Sequence, residues 1–339
     1  MKIGMVGLPG AGKTTLFEAL TKQPPDPGAR NEDRLAVVHV PDRRVTELSK
    51  MYSPRKTVYA QVEYYLGPAA KSGDRESQSR TVSTCDALLH VVRNFPAPGL
   101  EPPRPLADMK LLEEEFILSD LGVVENRLER ITTDKKKGKK ADSEEVAVME
   151  KARDMLEAGE PLRGNPEIAE SPLLRRFSLV SAKPVLLLVN NAEGDDTLPA
   201  GDVPANTDCM AVQGQVEQEI ARMTAEEAKA FLEEFDISEP AIERVIRRSY
   251  ALLGLISFFT VGEDEVRAWT IRKGTPALKA AGVIHSDMEK GFIRAEVISY
   301  EDLMTAGSYA AARKKGTPRL EGKTYEMADG DVVTFRFNV

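Results

Sequence analysis

The sequence predicts an α/β protein: a phosphate-binding strand–loop–helix unit, an inserted antiparallel helical hairpin and a C-terminal α+β portion. Three observations carry that reading. Residues Lys2 to Val6 are a short apolar run with the look of a buried strand. Gly7-Leu8-Pro9-Gly10-Ala11-Gly12-Lys13-Thr14 follows and fits G-x-x-x-x-G-K-[ST], the P-loop; Thr14 to Lys22 then read as a helix stopped by Pro24-Pro25. Ile117, Leu121, Val124, Leu128 and Ile131 alternate spacings of four and three, the seam of a coiled coil. Near the C-terminus, Val333, Phe335, Phe337 and Val339 alternate with Thr334, Arg336 and Asn338, which predicts a half-buried strand.

The chain's 339 residues suggest about two domains and are enough for sizeable cores. Hydrophobic residues at 42% and charged residues at 29% argue against wholesale disorder. No apolar run approaches the roughly 18 residues of a membrane span. Cys85 and Cys209 cannot make a disulfide framework or a four-cysteine zinc site, and His39, His90 and His285 lie far apart. A net charge of −8 disfavours a chain-wide grip on nucleic acid but leaves room for a local basic patch. An intracellular, soluble protein is expected.

Each part of the P-loop has a physical task. Its glycines let successive N–H groups turn toward phosphate, and the helix N-terminus adds a positive dipole end. Lys13 reaches the β- and γ-phosphates, and the Thr14 hydroxyl is placed to ligate Mg²⁺. A base-reading segment is expected after a later strand. Val185 to Val189 is such a strand, with Pro184 at its edge, running into Asn190-Asn191-Ala192-Glu193. Small GTPases carry Asn-Lys-x-Asp there, and the Asp accepts two hydrogen bonds from guanine. A Glu is one methylene longer, which weakens guanine preference and favours adenine. Asp134 to Lys140 interrupts the coiled-coil pattern as a lysine-rich tip, with a returning helix from about Glu144 to Glu157. Asp329-Gly330 is a hairpin-turn signal.

On these residues the chain resembles the YchF or Obg-like ATPase family of P-loop proteins. The Gly-Leu-Pro-x-x-Gly-Lys loop and the Asn-x-x-Glu are both features of it. Val37 to Val45, Cys85 to Arg93, Val266 to Ile271, Ile284 to Ala295 and Asp329 to Val339 also match, so the resemblance covers essentially the whole chain. It implies a Ras-like P-loop G domain, an inserted coiled-coil domain and a C-terminal TGS domain with a ubiquitin-like sheet. The expected division is 1–107 and 172–254 for the G domain, 108–171 for the helical insertion and 255–339 for the TGS domain. The resemblance further implies ATP binding with Mg²⁺, with GTP as an alternative, slow hydrolysis, and association with ribosomes in the cytoplasm. The expected nucleotide-binding residues are Gly7, Leu8, Pro9, Gly10, Ala11, Gly12, Lys13, Thr14, Thr15, Asn190, Asn191, Glu193 and Gly214. Lys13 is the candidate catalytic residue and Thr14 the metal ligand. The tip Lys135–Lys140 and the TGS domain are the candidate contacts to ribosome or ribosomal RNA; the oligomeric state is left open.

The catalytic machinery departs from the family. Its Asp-x-x-Gly motif aligns with Val62-Glu63-Tyr64-Tyr65-Leu66-Gly67, which puts Tyr64 at the Asp position. Glu63 is adjacent but points to the opposite face of a strand. The segment 23–33, where the family carries a Mg²⁺-sensing Thr, has no Thr or Ser; Asp26, Glu32 and Asp33 are its acidic residues. The family's last base-contacting region maps weakly to Val212-Gln213-Gly214-Gln215. Nucleotide binding is therefore expected more firmly than turnover. The alternative reading is a non-hydrolysing module that docks on a ribosome or protein partner. A small-molecule P-loop kinase is a weaker reading, which the TGS-like C-terminus opposes. His285 reads as a surface or satisfied core residue, Trp269 as core packing, and Cys85 and Cys209 as small buried hydrophobes with no redox role.

Overall fold

In the computed structural model, described for residues 1–24, 28, 32–68, 76–138, 140–201, 203, 204 and 206–338, the chain forms two compact units. One comprises Met1–Val37 and Glu63–Val245, the other Val38–Val62 and Ile246–Val339. The sequence had placed all of 38–62 with the N-terminal domain.

The first unit is built on a sheet of order β2-β4-β1-β5-β6-β7, with β1 Lys2–Val6, β2 Arg34–His39, β4 Gln61–Leu66, β5 Ala87–Asn94, β6 Val185–Asn191 and β7 Thr207–Val212. The pairs β1–β4, β1–β5, β5–β6 and β6–β7 are parallel. Every residue of β6 and all but the last of β5 are buried, as expected of strands covered on both faces. The phosphate loop leaves β1 and enters α1 (Lys13–Thr21). The following helices of this unit are α3 (Glu76–Val82), α4 (Pro105–Lys136), α5 (Ser143–Glu157), α6 (Pro166–Ala169), α7 (Gly214–Arg222) and α8 (Ala225–Glu234). The helix α9 (Ala241–Leu252) begins here.

Helices α4 and α5 form the predicted hairpin. Ile117 and Val124 pack with Met149, Ala152 and Leu156, and Leu121 and Leu128 lie against that cluster. Asp142 caps α5 by accepting from the Glu144 N–H at 2.9 Å. The exposed lysines Lys135 and Lys136 end α4, and Lys137 follows; Lys139 lies outside the described residues. At the root, buried Asp120 accepts from the Val180 and Ser181 N–H groups at 3.0 and 2.7 Å. Arg163 grips buried Glu113 at 2.8 and 2.5 Å. These bonds fasten the returning chain to α4, and removing one partner of such a buried pair costs about 3–5 kcal/mol.

The second unit has sheet order β11-β10-β12-β8-β9-β3, with β3 Lys56–Val58, β8 Leu255–Val261, β9 Glu265–Arg272, β10 Phe292–Ser299, β11 Arg319–Glu321 and β12 Asp331–Phe337. β8 and β9 form an antiparallel pair, β12 runs parallel to β8, and β10 is antiparallel to β12. Its helices are α2 (Arg43–Tyr52), α10 (Ala277–Ile284), α11 (Ser286–Lys290), α12 (Tyr300–Ala306) and α13 (Tyr309–Lys315). Phe258, Ile271, Ala295, Val297, Val333 and Phe335 pack with Ala277, Ala280 and Ala281 of α10. Trp269 packs against this cluster, and its Nε1 donates to Thr260 at 2.9 Å. The Nδ1 of His285 accepts from the Asp287 N–H at 3.2 Å, which caps α11. Cys85 is buried and Cys209 partly so.

The predicted alternation holds over Val333 to Arg336, with Val333 and Phe335 buried and Thr334 and Arg336 exposed, while Phe337 at the strand's end is exposed. Val339 lies outside the described residues. One local expectation needs correction: Asp329-Gly330 does not join paired strands, since β10 lies between β11 and β12. Gly330 turns the chain at φ 94°, and the Asp329 carboxylate accepts from Arg44 Nη1 at 2.8 Å and from the Ser257 N–H at 2.9 Å. The pair is a tether for 38–62, which places α2 and β3 on this sheet.

His90 on β5 is buried, and its Nε2 has no hydrogen-bond partner among the described residues. Burial, aided by the charges of Arg163 and Lys13, pulls its imidazole from 6.5 down to about 3. The folded protein thus stays neutral at a site where the unfolded chain takes up a proton. The stabilisation is complete above pH 6.5 and is lost as pH falls toward 3, by ~1.4 kcal/mol per unit. Urea midpoints at pH 7, 6, 5 and 4 should fall more steeply for the wild type than for His90→Leu. Parallel curves would refute the assignment.

Candidate nucleotide-binding site

The loop Gly7 to Thr15 is held at the mouth of the first sheet by the strand before it and the helix after it. Gly12 has φ 95°, and a Cβ there would lie 2.2 Å from Asn190 Nδ2, so glycine is required on two counts. No side chain caps α1, so the first N–H groups of that helix are available to an anion. The Ala11 N–H closes a turn onto Leu8 O at 3.2 Å. The Lys13 ammonium donates to Gly7 O at 2.7 Å and Leu8 O at 3.0 Å, so its head group lies curled back along the loop. Burial lowers its pKa from 10.5 to about 8. Thr14 is exposed and Thr15 half-buried in the first turn.

Asn190 is the penultimate residue of β6, the strand beside the edge strand β7, and joins two loops. Its Nδ2 donates to Ala11 O at 3.0 Å, and its Oδ1 accepts from the Gly214 N–H at 2.9 Å. Asn191 faces the other way: its Nδ2 donates to Asp195 O and Thr197 O, both at 2.8 Å, and its Oδ1 accepts from Asn94. Both amides brace loops, and both residues also line the cavity beside them. Glu193 is exposed and lines a cavity of about 500 Å³ together with Gly12, Thr15, Phe95, Asn190 and Gln213. The cavity also meets Gln215, Gln218, Glu219 and Arg222 along α7. Gln215 falls in the region mapped from sequence as base-contacting; Phe95, Gln218, Glu219 and Arg222 were not among the residues singled out from sequence. The signal for them was positional: Phe95 directly follows β5, and Gln215, Gln218, Glu219 and Arg222 share one side of a helix.

The switch segments are less complete. Asp26 and residues 69–75 lie outside the described residues. Tyr64 is wholly buried and pairs with Ile3 in mid-strand. The strand-end position beside Met5 is Leu66. Neither residue is a carboxylate. Glu63 sits opposite Lys2 in register. Asp33 is engaged by the Tyr65 hydroxyl at 2.6 Å, and Glu32 is exposed. Among the described residues no three His, Cys, Asp or Glu converge as a metal cluster. A divalent ion here would rest on the Thr14 hydroxyl and the oxygens of a bound phosphate chain, which suits Mg²⁺.

Two outcomes follow from this geometry. Asn190→Ala would leave Ala11 O and the Gly214 N–H unpaired in a buried place, at a cost of about 1–3 kcal/mol each. A clear drop in melting temperature and weaker nucleotide binding are expected; an unchanged melting curve would contradict the bridge. Titrating tripolyphosphate calorimetrically from pH 7 to 10 should give constant affinity below about pH 8. Above that, affinity should fall toward tenfold per pH unit as Lys13 loses its proton. A flat profile would exclude Lys13 as the principal charge.

The same arrangement recurs in known proteins. A family model named YchF-GTPase C-terminal, described as a protein of unknown function, matches residues 255–338. The chain is 36% identical to the ribosome-binding ATPase YchF of Bacillus subtilis, covering 99% of both chains. It is 34% identical to Obg-like ATPase 1 of Oryza sativa subsp. japonica, covering 100% of this chain and 92% of that one. The solved structure of the Schizosaccharomyces pombe YchF GTPase superposes with a TM-score of 0.84 at 30% identity, over 99% of this chain and 97% of that chain. Identity at this level over the full length, with the phosphate loop and both sheets in place, makes this chain a member of the YchF family.

Proposed function

We propose that this protein binds a purine nucleoside triphosphate, ATP in preference to GTP, with Mg²⁺ on Thr14, and associates with the ribosome. The observation that carries the nucleotide half is the Asn190 bridge, which sets the phosphate loop beside a cavity edged by the Glu193 carboxylate. Glu193 is one methylene longer than the Asp that accepts two hydrogen bonds from guanine in small GTPases; on this reading it stands away from that paired acceptance and meets the exocyclic amine of adenine alone. Gly7 to Thr15 hold the phosphates and Gly214 backs the base. Asn190 and Asn191 act by shaping the two loops. The ribosomal half rests on the printed names of the relatives, ribosome-binding ATPases among them. On this reading the protein works in the cytoplasm; no helix among the described residues is long and apolar enough to cross a membrane. The division into G domain (1–107, 172–254), helical insertion (108–171) and TGS domain (255–339) is retained as a functional one, with 38–62 lent to the last.

Turnover is slow on this reading. Lys13 is the one catalytic group we assign. The missing carboxylate at Tyr64 or Leu66 removes a metal-ordering group, and losing one electrostatic stabiliser costs about 10²–10³ in rate. That observation favours the second reading, a nucleotide-gated docking module that hardly hydrolyses. Phosphate release by the wild type above a Lys13→Ala control supports the enzyme; none above it leaves the docking module.

The tip supplies the ribosomal test. Lys135, Lys136, Lys137 and Lys140 are exposed on a chain of net charge −8. A few phosphate contacts give a steep salt dependence. Co-sedimentation with ribosomes should weaken several-fold in Lys136→Glu/Lys137→Glu and with rising salt. Equal pelleting of that variant would remove the tip from the interface.

A further inference from the structure

We infer that Gln213 is a positioning residue for purine choice, acting through the turn that carries Glu193; this rests on the base-reading role proposed above for Glu193. Gln213 lies between β7 and α7, immediately before Gly214. Both polar atoms of its amide are committed across the cavity mouth. Its Oε1 accepts from the Gly194 N–H at 2.9 Å, and its Nε2 donates to Asp196 Oδ1 at 2.8 Å.

The segment it grips is short and already bent. Gly194 has φ 77°, so the chain reverses directly after Glu193. Asn191 fixes the far side of the turn through Asp195 O and Thr197 O, and Asp195 Oδ1 accepts from the Thr197 N–H at 2.9 Å. The near side, at Gly194 and Asp196, is held by Gln213. Glu193 itself has no hydrogen bond or ion pair among the described residues, so nothing but the turn beneath it sets where its carboxylate stands. A loose turn would leave that carboxylate free to withdraw into water. A held turn keeps it at the cavity edge beside Phe95 and Asn190.

A side chain that discriminates by one or two hydrogen bonds needs its backbone fixed, because the difference between right and wrong bases is lost when the acceptor can move away. Gln213 is suited to this by reach. It spans from the β7–α7 connection to the β6 loop, while its neighbour Gly214 is already tied to Asn190. The two adjacent residues thus bind one loop to the phosphate loop and the other to the base-reading turn.

The test is the ratio of GTP to ATP dissociation constants, measured by calorimetry with Mg²⁺ on the full chain. Wild type, Glu193→Gln, Gln213→Ala and the double variant are compared. The wild type should prefer ATP, and Glu193→Gln should shrink that preference. Gln213→Ala should shrink it by about three- to tenfold, the worth of about one hydrogen bond. In the Glu193→Gln background Gln213→Ala should have no further effect on the ratio, since both act through one carboxylate. A purely architectural Gln213 would weaken ATP and GTP alike and leave the ratio unmoved, which would overturn the inference. Additive effects in the double variant would overturn it too. Failure of the base reading looks different: no ATP preference in the wild type, or a ratio unchanged in Glu193→Gln.

Discussion

Asn190 commits both ends of its amide to backbone, one to Ala11 O and the other to the Gly214 N–H, and the rest of the site is arranged around that bridge. The residue is buried at the end of a strand that is itself buried throughout. Its position is therefore set by the sheet. Through it the sheet fixes two loops distant in sequence. The close approach also explains the glycines on either side: a Cβ at Gly12 or Gly214 would meet the Asn190 amide at 2.2 or 2.8 Å. Backbone, not side chain, must face the amide at both places. Replacing any of the three residues would disturb the link between the phosphate loop and the cavity beside it.

The P-loop was legible because its chemistry demands a contiguous pattern, and contiguous patterns survive in a sequence. The coiled-coil seam was legible for a similar reason: Ile117, Val124 and their spaced neighbours repeat at the helical period. Asn190 and Glu193 were found as a pair, yet their roles diverge. Asn190 works as a brace and Glu193 lines the cavity, and no spacing rule separates a brace from a reader. Phe95, Gln218, Glu219 and Arg222 carry no contiguous sequence signal because they approach the cavity from separate elements. Asp329-Gly330 looked like a hairpin turn because turn chemistry is local, whereas strand order is not. Its carboxylate serves Arg44 and Ser257, partners 285 and 72 residues away.

The path of 38–62 gives the fold a consequence for function. The segment leaves the first unit just after the switch region and returns at Glu63. Between those points α2 and β3 belong to the C-terminal unit, where Arg44 bonds Asp329 and stacks on Phe259 at 5.1 Å. β3 pairs in parallel with β9 over Lys56 to Val58. The chain that follows switch I is thus part of the second sheet's edge. Parallel pairing to a neighbouring strand and an Arg–carboxylate fork are stiff attachments compared with a solvated loop.

The acidic ligand lost from β4 has to be weighed against what the phosphate loop retains. On the reading proposed above, Gly12 and the uncapped helix end hold ground-state phosphates as well as any transition state, and uniform binding of that kind lowers a dissociation constant without raising turnover, which leaves Lys13 as the one charge assigned to the transferring phosphate. A carboxylate that orders metal and water acts differently, because its value appears when charge develops on the leaving and attacking oxygens. Leu66 beside Met5 and buried Tyr64 beside Ile3 supply no carboxylate at those positions of β4. Asp33, a nearby carboxylate, is tied to Tyr65 instead. On the proposed reading the groups for binding are kept while one for hydrolysis is missing, and occupancy, set by nucleotide concentration, becomes the variable such a protein can report.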